Sequence, residues 1–114
     1  MIDASPSPEV LVTTGTVAAA TPGTVIAAPA AGFRIVVVSL CITAATTAGL
    51  VALKSGAGGT VIWQALVGPG AVVCDSPGPG MRVCQCAAAT LLELNNGAAG
   101  AAYWNVRYVL ERIQ

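Results

Sequence analysis

The sequence contains no histidine and few charged residues. Only 9% of its 114 residues are charged, whereas about a quarter of an ordinary soluble domain is charged. Without histidine the chain cannot build a serine triad of the usual form, and any zinc site would have to be made of cysteine alone. A surface with so little charge is difficult to keep in water, so we expect much of it to pack against copies of itself or a larger assembly.

The charged side chains are scattered along the chain. Nucleic-acid binding requires a basic face, and acid–base catalysis requires a titratable pair in one cleft, but no segment carries either pattern. We therefore predict no nucleic-acid partner, no cofactor and no enzymatic activity. Glu93 alternates with two leucines and is expected to face solvent or to pair with an arginine. The basic residues are Arg34, Lys54, Arg82, Arg107 and Arg112, and the acidic residues are Asp3, Glu9, Asp75, Glu93 and Glu111.

The four cysteines are Cys41, Cys74, Cys84 and Cys86. The first six residues lack the basic segment and the apolar run of a secretory signal, so we expect synthesis in a reducing cytosol and free thiols. Cys84 and Cys86 point to the same face if they lie on a strand, but their spacing is not that of the usual zinc ligands. We therefore interpret the cysteines as small buried apolar residues and predict no metal site.

Residues 35–53 form an uncharged stretch, IVVVSLCITAATTAGLVAL, flanked by Arg34 and Lys54. Its length is sufficient for a membrane-spanning helix. Its centre, residues 43–49, is rich in threonine and alanine, and β-branched residues lie on both sides of it, which favours strands. We interpret the stretch as two strands joined by a turn and predict no membrane partner.

Glycine and proline divide the chain into short segments rich in small and β-branched residues. This composition favours strands and tight turns over helices. The segments follow one another roughly every ten residues, which is typical of a β-sandwich or barrel of jelly-roll or Greek-key type. The predicted strands are residues 24–28, 33–43, 49–55, 60–66, 71–74, 81–86, 90–95 and 101–112, and residues 9–14 are compatible with a further short strand.

Three segments carry local predictions. The last strand alternates most clearly, with Trp104, Val106, Tyr108 and Leu110 on an apolar face. In residues 60–66, Val61 and Trp63 are expected on one face and Gln64 on the other. Asn96-Gly97 predicts a hairpin turn, because both residue types tolerate a positive φ.

The predicted fold class is all-β, with a single jelly-roll sandwich of about eight short strands in residues 24–114 and an extended N-terminal arm in residues 1–23. The arm contains Ser5-Pro6-Ser7-Pro8, which cannot form a helix or a central strand. Such an arm can add a strand to the open sheet edge of a neighbour, or it can be a frayed terminus. The loop at residues 75–80 is a candidate distal tip.

Trp63 and Trp104 supply large side chains to a chain with few aromatic residues. They could stack on a sugar, but tryptophan more often anchors a core or an interface. We expect an interface between copies to use the outward apolar positions of residues 33–43 and of the last strand, with the arm reaching a neighbour. The predicted interface residues are Val10, Leu11, Val12, Phe33, Trp63, Tyr103, Trp104 and Tyr108.

Three segments carry a resemblance to a known class of proteins. They are an arginine-led apolar strand (residues 33–40), a strand that ends in Leu-Lys-Ser-Gly (residues 49–56) and a closing aromatic strand (residues 102–108). Over about residues 24–114 the chain resembles small virion proteins of tailed bacteriophages, in particular capsid decoration (cement) proteins of jelly-roll type. The resemblance implies a homotrimer that ties neighbouring capsid subunits together from outside the shell.

The sequence therefore predicts a structural virion protein. Its partners would be copies of itself and the major capsid protein, and its location would be the capsid exterior after synthesis in the host cytoplasm. Binding only the assembled shell would stabilise that shell by mass action. Two alternatives remain: a receptor- or glycan-binding tip domain of a phage fibre, and a head-fibre or tail-adaptor protein.

Overall fold

A computed structural model describes residues 9–44, 47–78, 81–97 and 100–113. These residues form strands, turns and irregular connections, and no helix. The nine strands are β1 (Leu11–Val17), β2 (Pro22–Ile26), β3 (Phe33–Ala44), β4 (Gly49–Ser55), β5 (Thr60–Val67), β6 (Val72–Asp75), β7 (Cys84–Gln85), β8 (Leu92–Asn96) and β9 (Ala102–Arg112).

The strands form two antiparallel sheets that pack face to face. The five-stranded sheet has the order β1-β9-β3-β6, with β7 also paired to β3, and the four-stranded sheet has the order β2-β8-β4-β5. Strands β4 and β5 form a hairpin, and strands β6 and β7 both pair with β3. Every other connection crosses from one sheet to the other. This arrangement is a jelly roll, so the predicted all-β fold is confirmed.

The core lies between the sheets, because alternate residues of each strand point inward. Its fully buried side chains are aliphatic and come from both sheets, and each stabilises the fold by about 1.5–3 kcal/mol. Strand β9 follows the predicted alternation over three of the four residues: Trp104 and Tyr108 pack against this core and Val106 belongs to it, whereas Leu110 is exposed. The largest fully buried core residues are Ile35, Val37, Leu40, Ile42, Val51, Leu53, Val67, Leu92, Leu94 and Val106.

Part of the predicted arm belongs to the sandwich. Residues 11–17 form β1, which pairs with β9 from Leu11 opposite Tyr108 to Val17 opposite Ala102. Residues 22–26 form β2, at an edge of the four-stranded sheet. Residues 1–8 of the arm, and residues 79–80 of the candidate distal tip, lie outside the described residues.

Two local predictions are wrong. In β5 a bulge leaves Ile62 without a register partner, since Trp63 pairs with Leu53 and Val61 pairs with Lys54. Trp63 therefore packs against the core while Val61 is exposed, and the two do not share a face, although Gln64 lies on the face opposite Trp63 as predicted. The segment at Asn96 is not a hairpin turn, because β8 and β9 belong to different sheets.

The uncharged stretch at residues 35–53 forms most of β3 and β4. The predicted turn between them includes residues 45 and 46, which lie outside the described residues. In the part of the chain that the structure describes, no helix is long and apolar enough to span a membrane.

The connections gather at two ends of the sandwich. The uncharged end holds the described residues 18–21, 47–48, 68–71, 97 and 100–101, which are only alanine, glycine, threonine and proline. The opposite end, the charged end, holds the described residues 27–32, 56–59, 76–78, 81–83 and 86–91. Arg34, Lys54, Arg82, Glu93, Glu111 and Arg112 lie at or near the charged end.

Candidate assembly surfaces

Two sheet edges carry no charge and have no further strand paired to them among the described residues. An edge strand presents a row of unpaired N–H and C=O groups, and natural proteins usually protect it with charged residues or proline. Strand β1 (LVTTGTV) and strand β5 (TVIWQALV) are edges that contain neither. The other edges are less open, because β2 begins with Pro22 and β6 ends with Asp75.

The two open edges lie on opposite sides of the sandwich. Strand β1 is the end of the five-stranded sheet and contacts β2, whereas β5 is the far end of the four-stranded sheet and contacts β6 and β7. The indole N–H of Trp63 on β5 donates to the Asp75 carboxylate on β6 at 3.2 Å, which ties the two sheets together along this side. Each side of the molecule therefore offers one strand able to pair with another chain.

An ion-pair cluster lies on the outer face of the five-stranded sheet at the charged end. Glu111 on β9 is opposite Arg34 on β3 and accepts a hydrogen bond from its Nε at 2.6 Å. Arg82 donates to the second carboxylate oxygen of Glu111 at 3.0 Å and also contacts Gln85. Hydrogen bonds from Arg82 and Arg34 hold the pKa of Glu111 below its ordinary value. The single carboxylate of Glu111 is engaged by both arginines, so the cluster presents no free acid–base pair.

Glu93 does not face solvent as predicted. It lies on the outer face of β8 opposite Lys54, but it is buried. Its Oε1 accepts a hydrogen bond from the backbone N–H of Gly58 at 3.1 Å, so the hydrogen bond comes from the β4–β5 loop and not from an arginine. Gly58 has a positive φ of 65°, which favours glycine there. Glu93 therefore holds a loop in place.

The structure pairs two of the cysteines that were expected to be free. Cys41 on β3 and Cys74 on β6 are directly opposite in register, with Cα atoms 4.1 Å apart, and form a disulfide. Both point to the outer face, because their neighbour Ile42 is buried in the core and Cys74 itself is exposed. The 33-residue separation in sequence gives no sign of this pairing. It arises because β3 and β6 are antiparallel neighbours.

The other two cysteines are buried free thiols, as predicted. Cys84 lies on β7 opposite Val37, and the backbone N–H of Cys86 donates to the carbonyl of Ile35 at 2.9 Å. Burial raises the pKa of Cys84 to about 12 and the pKa of Cys86 to about 11. Thiols that stay protonated at neutral pH are poor nucleophiles and poor metal ligands. Within the described residues, no three or more cysteine, aspartate or glutamate side chains form a group able to hold a metal ion.

The two tryptophans are not available for stacking on a ligand. Both are partly buried and pack against the core. The ring of Trp104 covers Gly15 of β1, where an added Cβ would lie 2.6 Å from the ring atom Cζ2. Its indole N–H has no acceptor among the described residues. These side chains anchor the fold.

The predicted interface residues divide into two groups. Val10, Val12 and Tyr103 are exposed and are free to contact another chain. The remaining five are at least partly covered by this chain. Leu11 pairs with Tyr108 and points to the same face of the sheet as that residue. The guanidinium of Arg112 lies 5.5 Å from the ring centre of Phe33. Trp63, Trp104 and Tyr108 pack against the core.

Sequence reasoning missed Asn96. Its side chain is fully buried, and Nδ2 donates to the carbonyls of Val17, Ala18 and Gly100 at 3.3, 3.1 and 2.9 Å. Its backbone N–H donates to the backbone carbonyl of Thr21 at 3.1 Å. Asn96 therefore holds two connections of the uncharged end together. An asparagine on the inward face of a strand rich in leucine was the available signal, because a buried amide needs several partners.

Comparisons with known proteins identify no family. No protein-family profile matches the chain, and no curated protein matches it in sequence. A solved structure of Bacillus endospore appendages, described as a novel family of disulfide-linked pili, aligns over 97% of this chain and 97% of the other chain. The identity is 16% and the TM-score is 0.44, and a similarity of this degree supports no functional conclusion.

Proposed function

We propose that this chain is a structural subunit that works by associating with copies of itself. The observation that carries the proposal is the pair of open edge strands, β1 and β5, which lack both charge and proline. Free backbone groups on such strands find their partners most readily in another strand. Because the two edges lie on opposite sides, pairing of β1 of one copy with β5 of another joins different surfaces and builds a ring or a filament.

The composition of the surface supports the same proposal. With 9% charged residues and a mean hydropathy of +0.77, the exposed surface is poorly solvated. Large apolar side chains are exposed, among them Val12 on β1 and Leu66 on β5. Association buries such side chains and removes the cost of keeping them in water.

The specific form that we propose is a virion protein, on the basis of the resemblance to capsid decoration proteins. In this form three copies close into a ring and bind the major capsid protein on the outside of the shell. They stabilise the shell because they bind the assembled form and not its free subunits. The exposed disulfide between Cys41 and Cys74 suits this location, since a released particle works outside the reducing cytosol.

The structure favours assembly over glycan binding. A glycan site built on the tryptophans would need exposed indole rings, but Trp63 and Trp104 pack against the core, which leaves Tyr103 as the exposed aromatic ring among the described residues. A head-fibre or tail-adaptor protein would also assemble through its sheet edges, but into a larger ring or a tube. The number of chains in the assembly separates these forms.

The test is the molar mass in solution, measured by light scattering during size-exclusion chromatography over a range of protein concentrations. A mass of several chains supports the proposal, and a multiple of three supports the capsid form. A mass of one chain at every concentration contradicts it. Co-sedimentation with purified empty phage capsids then tests the capsid form, and absence from the pellet of a chain that does assemble contradicts that form alone.

A further inference from the structure

One disulfide holds the end strand of the five-stranded sheet in place. Strand β6 has four residues, and among the described residues its register partners are residues 40–43 of β3. The disulfide joins Cys41 to Cys74 within this short ladder. Each of the other register pairs therefore lies within two residues, or about 7 Å, of the bond.

The intact bond prevents β6 from leaving β3. The Cα atoms of Cys41 and Cys74 are 4.1 Å apart, and a disulfide keeps this separation below about 7 Å. Without the bond, β6 would be held by its short ladder, by the partial burial of Val73 against the core, and by the 3.2 Å hydrogen bond from Trp63 to Asp75. A short edge segment with few buried contacts opens at a low free energy.

The bond is accessible from solvent. Cys74 is exposed, Cys41 is partly exposed, and both point to the outer face of the five-stranded sheet. Their neighbours on that face are uncharged: Asn105 pairs with Cys41, and Thr43 and Val72 form the next row. Exposed disulfides are the labile and regulatory ones. A thiolate in solution therefore has access to the sulfur of Cys74.

Resting on the proposed self-association, we propose that the disulfide is a redox switch: its reduction by a dithiol releases β6 and opens the edge of β3 to a strand of a second copy. One thiolate of the dithiol bonds to the sulfur of Cys74 as the disulfide breaks, and Cys41 leaves as a thiolate that takes a proton from solvent. The second thiolate of the dithiol then displaces Cys74, which is protonated in the same way. The dithiol becomes a disulfide, and the two cysteines gain the two electrons that it loses.

The edge that β6 covers is suited to another strand. Residues 40–43 of β3 are Leu-Cys-Ile-Thr, without charge or proline, and β9 occupies the other edge of β3. In the oxidised chain the sheet ends instead at β6, where Asp75 places a charge on the edge, and an edge charge opposes pairing. A second copy supplies the partner, because its uncharged edge strands β1 and β5 present free backbone groups.

Hydrogen–deuterium exchange tests the release of β6. Cys84 and Cys86 are already thiols, so dithiothreitol changes the Cys41–Cys74 bond alone. We expect reduction to accelerate amide exchange in residues 72–75 at least about tenfold, because the strand opens locally. Local opening exposes little surface, so this exchange should depend weakly on urea, whereas exchange in β8 should accelerate with urea through global unfolding. Exchange in residues 72–75 that is unchanged by reduction, or that follows β8 at every urea concentration, would overturn the proposal.

Light scattering tests the new contact in the oxidised chain, the reduced chain and Cys41→Ser/Cys74→Ser, which cannot form the bond. We expect the last two to associate at least about tenfold more tightly than the oxidised chain, because the state able to pair is more populated. Cys84→Ala/Cys86→Ala keeps the disulfide and is the matched control, so it should respond to dithiothreitol as the wild type does. Circular dichroism verifies that the reduced chain and both variants fold.

The outcomes separate the switch from the proposed function. If the oxidised chain assembles and reduction changes neither the exchange in β6 nor the association, the switch fails and the proposed function stands. If β6 opens on reduction but association does not increase, the edge of β3 is not a contact and the proposal also fails. A chain that is monomeric in both redox states would remove both proposals.

Discussion

Asn96 shows how one buried polar residue organises loops that have almost no side chains of their own. Its amide supplies hydrogen bonds to three carbonyls, on the β1–β2 and β8–β9 connections. We expect Asn96→Ala to lower the free energy of unfolding by about 2–4 kcal/mol, because buried carbonyls lose their donors. Asn95→Ala, on the opposite face of the same strand, is the control and should cost less. Urea unfolding measures both, and equal losses would contradict this role.

Position 15 requires glycine because a neighbouring ring leaves no room for a Cβ, and not because of its φ angle. A Cβ at this position would lie 2.6 Å from the indole of Trp104, closer than van der Waals contact allows. We expect Gly15→Ala to destabilise the protein by about 1–3 kcal/mol through overpacking. Thermal unfolding of Gly15→Ala with Trp104 intact and with Trp104→Phe tests the cause. The cost should shrink with the smaller ring, and an unchanged cost would exclude this contact as its source.

The two free thiols predict that the free energy of unfolding depends on pH. Burial raises the pKa of Cys84 from 9.0 to about 12 and the pKa of Cys86 from 9.0 to about 11, so both protons are held more tightly in the folded state. Their contribution to stability is complete below about pH 9, where the unfolded thiols begin to ionise, and is lost as the pH rises towards the folded values. We expect unfolding free energy to fall between about pH 9 and 12.

Comparison with a variant isolates the thiols. The alkaline loss should be smaller in Cys84→Ala/Cys86→Ala than in the wild type, and an equal loss would assign it to other groups. In the folded wild type, a disulfide reagent at about pH 8 should leave both thiols unmodified and should modify both after denaturation, because the thiolate is the reactive form.

At the scale of the strand, the disulfide fixes the short edge strand β6 to β3. It closes a loop of 33 residues, which corresponds to about 3–4 kcal/mol of stabilisation in the chain-entropy description. We expect Cys41→Ser/Cys74→Ser to lower the unfolding free energy by this amount, measured in urea without reductant. Dithiothreitol should destabilise the wild type to the same extent and leave the double variant unchanged. If dithiothreitol also destabilised the double variant, the effect of the reductant on stability would not come from the Cys41–Cys74 disulfide.

Strands β1 and β5 are where the proposed assembly is most easily disrupted. Thr14 on β1 and Gln64 on β5 are both exposed. A lysine on an edge strand opposes pairing with another chain, because its charge would have to be buried in the new sheet. We expect Thr14→Lys and Gln64→Lys each to reduce the mass of the assembly towards a single chain.

The control for the edge variants is Asn105→Lys. Asn105 is exposed and lies opposite Thr14, but on β9, whose edges are both occupied by neighbouring strands. The Asn105→Lys variant should have the wild-type mass of the assembly in light scattering. If Asn105→Lys dissociated while the two edge variants still assembled, the contact would have to lie on the sheet face and not at the sheet edges.

At the scale of the whole molecule, most charged side chains of the described residues lie at or near one end of the sandwich, while Asp75 and Arg107 lie nearer its middle. The sequence scatters them over all segments, and only the jelly-roll topology brings Arg34, Arg82 and Glu111 together. The same topology gathers the small uncharged residues 18–21, 47–48, 68–71 and 100–101 at the other end. No linear pattern in the chain predicts this polarity of the molecule.

Much of the fold could be read from local patterns. Strands β3, β4, β5, β8 and β9 lie close to their predicted positions, because period-two alternation and Gly/Pro boundaries are local properties of a strand. The misplaced features all depend on distant neighbours. β1 was assigned to an arm because its pairing with β9 spans most of the chain, and the bulge at Ile62 responds to the register with β4.

The sequence by itself therefore determined an all-β sandwich with a poorly charged surface, since composition and alternation are sufficient for both. Only the tertiary structure decided that Cys41 meets Cys74, that Asn96 faces inward to three carbonyls, and that β1 and β5 are the open edges. Each of these depends on which strands become neighbours. Strand order is set by packing the whole core, and no single segment encodes it.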